Sequence, residues 1–222
     1  MSCFKEGWQV NMKLEKFKSL KKFKSLKDIK LILASTSPRR AEILRRERIE
    51  FEILIPDNIE KDELFGDPVS YVLELSRKKA ESVAKKVEDG LVLGADTIVV
   101  LDDKILGKPK DKKEAKSILK SLSGRYHKVY TGITLIHKKS GKTESDYGCT
   151  KVKFNQLKKE DILKYIATGE PLDKAGAYGI QGMGSFLVEN IEGDLDNVIG
   201  LPLKKLKKLL EKFADASRDI EK

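Results

Sequence analysis

The sequence predicts an α/β layered domain, and three observations carry that prediction. From Leu31 onward, short apolar runs alternate with stretches of helical periodicity. The 222 residues suffice for one large domain or two small lobes with a real core. Apolar residues make up 40% of the chain beside 36% charged ones, which fits a globular protein and excludes a disordered one.

The elements follow in order. Leu31–Ala34 reads as a strand and about Pro38–Arg48 as a helix, with Ser37 at its cap and Pro38 at its first position. Phe51–Ile55 is a second strand. Val69, Val72, Leu73, Val83 and Val87 recur at helical spacing and predict a helix from Pro68 to about Val87. Leu91–Leu101 is a strongly apolar strand interrupted by one acid. Asp111 caps a helix carrying Ala115, Ile118, Leu119 and Leu122, which stops at Gly124. Strands are expected near Lys128–Ile136 and Cys149–Phe154, then a helix from about Glu160 to Thr168 and a strand over Phe186–Ile191. Pro202 opens a last helix with Leu203, Leu206, Leu210 and Phe213 facing inward.

The net charge of +10 is unevenly spread: residues 1–30 hold nine Lys against three acids. That segment contains Lys-Phe-Lys-Ser-Leu-Lys twice over, at 16–21 and 22–27, and Met12 precedes it as an alternative start. We therefore expect a basic, flexible extension over 1–29, a folded domain over 30–214 and a short tail over 215–222. A basic tail on a nearly balanced body does not call for stable nucleic-acid binding. No stretch approaches the apolar length of a membrane span, and the N-terminus has no apolar signal core. Two cysteines, Cys3 and Cys149, are too few for a disulfide framework, so a reducing cytoplasm is expected.

Four segments carry residues suited to chemistry. Ala34-Ser35-Thr36-Ser37-Pro38-Arg39-Arg40 joins a strand to a helix. The free N–H groups of a helix start, the hydroxyls and two forked guanidinium groups suit a phosphate, though a well-capped surface helix reads the same way. Asp96 lies in Gly94-Ala95-Asp96-Thr97, inside an apolar strand where a carboxylate is costly unless paired, protonated or metal-bound. It is the best single candidate for a catalytic or metal-linked acid, against the plainer reading of a strand-end hydrogen-bond acceptor. Gly107-Lys108-Pro109 places a compact cation on a turn. Gly169–Gly182 is a glycine-dense loop whose Ala, Tyr and Ile residues favour a fixed shape over a flexible loop, and Gln181 can read a base edge. Gly141-Lys142-Thr143 ends like a phosphate-binding Walker loop, but Ile136 stands where its first glycine must be. His127 and His137 lack metal-ligand companions.

Taken together and in this order, Ala34–Arg40, Gly94–Val100, Gly107–Pro109, Leu122–Thr131, Asp173–Gly182 and Asn197–Pro202 resemble the Maf family of nucleoside triphosphate pyrophosphatases. The resemblance spans about Leu31 to Phe213. It implies a mixed twisted sheet flanked by helices, in two lobes with a central cleft, related to the inosine triphosphate pyrophosphatases (Maf/Ham1). It further implies a homodimer, a nucleoside triphosphate substrate and a divalent cation, Mg or Mn. By matching position, Asp96 is the implied proton acceptor, with Lys79, Lys108 and Glu60 beside it; Glu60 and Asp96 are the implied metal ligands. Ser35 and Arg40 fall in the phosphate-facing motif, and Arg39, Thr97 and Gln181 match positions tied to base selection. The Ala-Gly-Ala-Tyr-Gly-Ile-Gln segment and Thr97 resemble the branch acting on dTTP and UTP. A 7-methyl-GTP pyrophosphatase and a nucleotide-binding regulator of septum formation are the alternatives.

Overall fold

The computed structural model describes residues 29–57 and 66–220, with side chains as far as Ala214. Its strands are β1 (Leu31–Ala34), β2 (Glu52–Leu54), β3 (Leu91–Leu101), β4 (Lys104–Leu106), β5 (Tyr126–His137), β6 (Thr143–Phe154) and β7 (Val188–Glu192). Its helices are α1 (Pro38–Arg46), α2 (Pro68–Ala84), α3 (Lys112–Leu122), α4 (Lys159–Ala167), α5 (Leu195–Ile199) and α6 (Leu203–Ile220). Three 3-10 turns, Glu170–Asp173, Ala175–Ala177 and Gly182–Leu187, fill the glycine-dense stretch between α4 and β7. Asp67 and Asp111 cap α2 and α3 through the N–H groups of Ser70 and Glu114; the cap at Asp111 is the one the sequence predicts.

The sheet runs β2-β1-β3-β5-β6-β7, parallel among the first three strands and antiparallel thereafter. β3 is the pivot. Its first residues pair with β1, ending at Ala34↔Gly94, and its last three pair on the same flank with β4, beginning at Val99↔Leu106. Between those pairings, among the described residues, Ala95 to Ile98 have a strand neighbour only on the β5 flank. The edge of the sheet is open at that point.

Successive strand residues face opposite sides, and the two faces of β3 are covered differently. On the even-numbered side α2 runs the whole length, packing Val72 and Leu75 on Ile98 and Val100, and Ala80 and Val83 on Val92. On the odd-numbered side there are two cores. Leu91, Leu93 and Ala95 pack with α1 and with Leu206, Leu210 and Phe213 of α6. Val99 and Leu101 pack instead with α3, α4, Phe154 and Tyr178. The two lobes are these two cores, and Ile180 packs against both.

Helix α2 lies directly on backbone. A Cβ at Gly94 would stand 2.1 Å from the Ser76 carbonyl oxygen and 2.7 Å from the Ala80 nitrogen. One at Gly132 of β5 would stand 2.4 Å from the Val72 carbonyl oxygen. Residues 72, 76 and 80 form one i, i+4 ridge, so the two glycines make the groove into which that ridge fits. Ser76 Oγ donates to Leu73 O and shares a hydrogen bond with Thr134 Oγ1 (2.8 Å), which ties the helix to β5.

β4 and α5 have no counterpart in the sequence expectation, and three expected elements begin or end elsewhere. β6 begins at Thr143, six residues early, because its first half is solvated and polar and shows no apolar alternation. The strand expected over Phe186–Ile191 starts at Val188, after a 3-10 turn. Helix α6 continues to Ile220, into the segment set aside as a tail. The expected extension over 1–29 lies almost wholly outside the described residues. No described helix is long and apolar enough to cross a membrane.

The groove argument predicts that Gly94→Ala lowers unfolding free energy by about 3 kcal/mol or more, read from urea denaturation. Gly141→Ala, at a left-handed position with nothing within 4 Å, should cost only about 1 kcal/mol. Equal losses at the two sites would refute close approach as the reason for Gly94.

Candidate active site

The open stretch of β3 lies in a cleft of about 550 Å³ between the lobes. One wall begins where β1 ends. Ser35 is buried beneath the cleft, where its Oγ accepts from the Ser37 N–H (3.1 Å) and from Arg40 Nη1 (3.2 Å). Ser37 occupies the cap position of α1 but its side chain makes no capping bond. Ser35 thus acts on Arg40 from behind, while Thr36, Ser37, Arg39 and Arg40 line the cleft.

Arg40 is buried and held at three points, through Ser35, Thr97 Oγ1 (3.1 Å from Nη2) and the Gly200 carbonyl (2.8 Å from Nε). A guanidinium has five N–H donors, so two still point elsewhere. Burial pulls its pKa below the ordinary arginine value; the Asp96 charge opposes that shift and Arg39 adds to it.

Asp96 is 5% exposed, at the centre of the open stretch. Lys79, from the underside of α2, donates to its Oδ1 in a close ion pair and also approaches the Ala95 carbonyl (3.4 Å). The other carboxylate oxygen, Oδ2, is buried and has no hydrogen-bond partner among the described residues. A half-satisfied carboxylate lining a cleft is a proton acceptor or a cation ligand in waiting.

The opposite wall comes from the turn after β4 and from the 3-10 turns. Lys108 is exposed there, and Gln181, also exposed, lies at the rim with Gly182. Lys174 donates to Asp173 Oδ1 (2.6 Å) and to the Glu170 carbonyl (3.1 Å). Burial pushes the Asp173 carboxyl up, but Lys174 and the charge of Arg39 outweigh it and leave Asp173 below the usual range. Arg39 and Asp173 therefore sense each other across the cleft. Five cations (Arg39, Arg40, Lys79, Lys108, Lys174) face three carboxylates (Asp96, Glu170, Asp173), so the empty cleft favours an anion. Val99, Ile105, Val129 and Tyr178 supply an apolar surface beside them.

Eight of the nine residues singled out from sequence thus converge, with Ser35 behind the wall; Glu60 lies outside the described residues. Sequence reasoning missed Glu170, Asp173 and Lys174 as site residues, although they sit in the glycine-dense loop it had singled out.

Residues 30–213 match the sequence profile of the family described as Maf-like protein. The chain belongs to the Maf family. The dTTP/UTP pyrophosphatase of Thermoanaerobacter sp. (strain X514) is 52% identical over 188 residues, covering 84% of this chain and 98% of its own. Those of Clostridium novyi (strain NT) and Clostridium botulinum (strain Kyoto / Type A2) are 51% and 50% identical, over 82% and 81% of this chain and 96% and 95% of theirs. Among solved structures, a HAM1 protein from Coxiella burnetii superposes with a TM-score of 0.50 at 15% identity, over 83% of this chain and 99% of that one. That likeness bears on the fold alone, and it agrees with the mixed sheet expected of a Maf/Ham1 architecture.

One wall of this Maf cleft rests on a buried histidine. The Tyr178 hydroxyl meets His127 Nε2 (2.8 Å), and both rings pack edge-to-face on Phe154. His127 is 2% exposed, and burial lowers its pKa to about 4 from the ordinary 6.5. The unfolded chain therefore binds a proton near pH 6.5 that the folded one refuses until about pH 4. Its contribution is complete above pH 6.5 and is lost as pH falls, by about 3 kcal/mol at pH 4. Urea melts of the wild type and His127→Phe should show this slope in the wild type only. Parallel curves would refute the neutral buried histidine.

Proposed function

We propose that this chain hydrolyses dTTP and UTP to the nucleoside monophosphate and pyrophosphate, with modified pyrimidine triphosphates as further substrates. The observation that carries the reading is Asp96, a buried carboxylate with one oxygen on Lys79 and the other unpartnered, set in a cationic cleft. The names and the identity of about half their residues that the relatives share with this chain support the choice of substrate.

The division of labour follows from charge. A triphosphate carries about four negative charges, and Arg40, Lys79 and Lys108 converge on it from three separate elements. The remaining donors of Arg40, and the unengaged Ser37 side chain at the start of α1, suit phosphate oxygens. Asp96 Oδ2 accepts the proton of a water attacking the α phosphorus, while the bond from that phosphorus to the bridging oxygen breaks and pyrophosphate leaves. Lys79, already paired to Asp96 Oδ1, fixes the orientation of that carboxylate and leaves its second oxygen for the water. Because pyrophosphate leaves readily once its charge is neutralised, the protein's task is orientation and charge stabilisation.

A divalent cation, Mg or Mn, belongs to the proposal. Among the described residues no cluster of three or more His, Cys, Asp or Glu is placed to hold a metal. The Asp96 carboxylate would fit beside a cation of the magnesium type, which takes one or two carboxylates and fills its shell with phosphate oxygens and water. Glu60 is the second carboxylate proposed. Such an ion neutralises phosphate charge and polarises the phosphorus. A homodimer and a cytoplasmic location are proposed on the family resemblance.

Asp96→Asn should lower kcat about a thousandfold while leaving the circular dichroism spectrum unchanged, measured as pyrophosphate release from dTTP with Mg²⁺. Retained turnover in that variant would remove Asp96 from the chemistry. Gln181→Ala should compress relative kcat/KM across dTTP, UTP, CTP and GTP by about tenfold. Release by the wild type from 7-methyl-GTP alone would overturn the substrate branch and keep the reaction.

A further inference from the structure

Two of the three contacts that hold Arg40 lead to one short helix. Nε donates to the carbonyl of Gly200, the residue that follows α5. Nη2 donates to Thr97 Oγ1 (3.1 Å), Thr97 Oγ1 lies 3.0 Å from Thr131 Oγ1, and Thr131 donates to the Asn197 carbonyl (2.8 Å) within α5. Thr97 and Thr131 are direct partners across β3 and β5.

The hydrogens of this chain have one consistent arrangement. A carbonyl only accepts, so the single hydroxyl proton of Thr131 goes to Asn197. Thr131 then accepts from Thr97, whose own proton is thereby used. Thr97 in turn accepts from Arg40, which only donates. The order is Arg40 to Thr97 to Thr131 to Asn197, all in one direction. Its far end is anchored: Asn197 is fully buried, and its Nδ2 donates to the Val129 carbonyl (2.9 Å) and to Thr150 Oγ1 (3.0 Å).

We propose that Thr131 is a positioning residue for Arg40: through Thr97 it orients the guanidinium in the cleft and ties the grip on the triphosphate to the docking of α5. The proposal rests on the reading of Arg40 as a phosphate-binding group. Thr131 is fully buried and does not line the cleft, so any effect it has on substrate passes through its partners, Thr97 and α5, both of which hold Arg40. A fork of donors is useful only when aimed, and misplacement by about 1 Å costs up to about a hundredfold in rate.

The test measures pyrophosphate release against dTTP concentration, with Mg²⁺, for the full chain carrying Thr131→Val or Thr131→Ser, each alone and with Arg40→Met. Valine keeps the shape of threonine and removes the hydroxyl; serine keeps the hydroxyl and removes the methyl. Both changes lower the melting temperature because the site is buried, so stability does not decide. Thr131→Val should raise KM about tenfold with kcat within about twofold, and Thr131→Ser should stay within about twofold on both. With Arg40→Met in place, Thr131→Val should add nothing further. Equal KM values for the valine and serine variants overturn the proposal, as does a valine effect that persists beside Arg40→Met. An Arg40→Met variant with unchanged KM overturns the reading of Arg40 and the proposal with it. A large Arg40→Met effect without a Thr131→Val effect overturns the proposal alone. Should the valine variant not fold, Thr131→Ala must raise KM in the same direction.

Discussion

A carboxylate buried in an apolar strand is costly unless an opposite charge meets it, and Asp96 is met by Lys79. That meeting depends on how closely α2 lies on the sheet. Gly94 and Gly132 let the ridge of residues 72, 76 and 80 rest on backbone, and Lys79 sits beside that ridge. With a side chain at either glycine, α2 would lift and the lysine would withdraw from its partner. The pairing is incomplete in a useful way. One oxygen meets the lysine and the other has no hydrogen-bond partner among the described residues, so the pair holds the acid in place and leaves it one acceptor for a ligand or water.

Neighbouring residues on a strand face opposite ways, yet Asp96 and Thr97 both line the cleft. The open edge of β3 resolves this. Between the end of its pairing with β1 and the start of its pairing with β4, the strand has no neighbour on that flank among the described residues, so both faces reach the same space. Asp96 meets α2 from one face, and Thr97 meets Arg40 of α1 from the other. Helices on opposite sides of the sheet can therefore serve one ligand.

What was legible in the sequence follows from whether the signal is local. Asp96 stands out because an acid in Leu91–Leu101 contradicts its surroundings, and the cap at Asp111 lies within a few residues of the N–H group it binds. β4 has three residues and α5 five, too few for any periodicity to show. Thr97 matches a position tied to base selection, and its hydroxyl is committed to Arg40 and Thr131, so what it offers a ligand is an acceptor and not a donor. That commitment is set by the register of β3 on β5, and Arg40's bond to Gly200 spans 160 residues. Neither is visible without the fold.

The change from parallel to antiparallel pairing along β3 also sorts the chemistry by position. The parallel half brings α1, with Arg39 and Arg40, to the carboxyl end of β1, where α/β sheets present their ligand crevice. The half beyond Asp96 contributes Val99, its β5 partner Val129 and the β4 residue Ile105, all apolar. At about 3.3 Å per residue, Val99 stands about 10 Å along the strand from Asp96. The cationic end and the apolar end are thereby separated by about the reach from a phosphate across a sugar to a base. Asp96 stands at the boundary between them. A ligand charged at one end and planar at the other, laid along this cleft, brings its first phosphate to the level of Asp96, which is why the proposed reaction places the attacked phosphorus there.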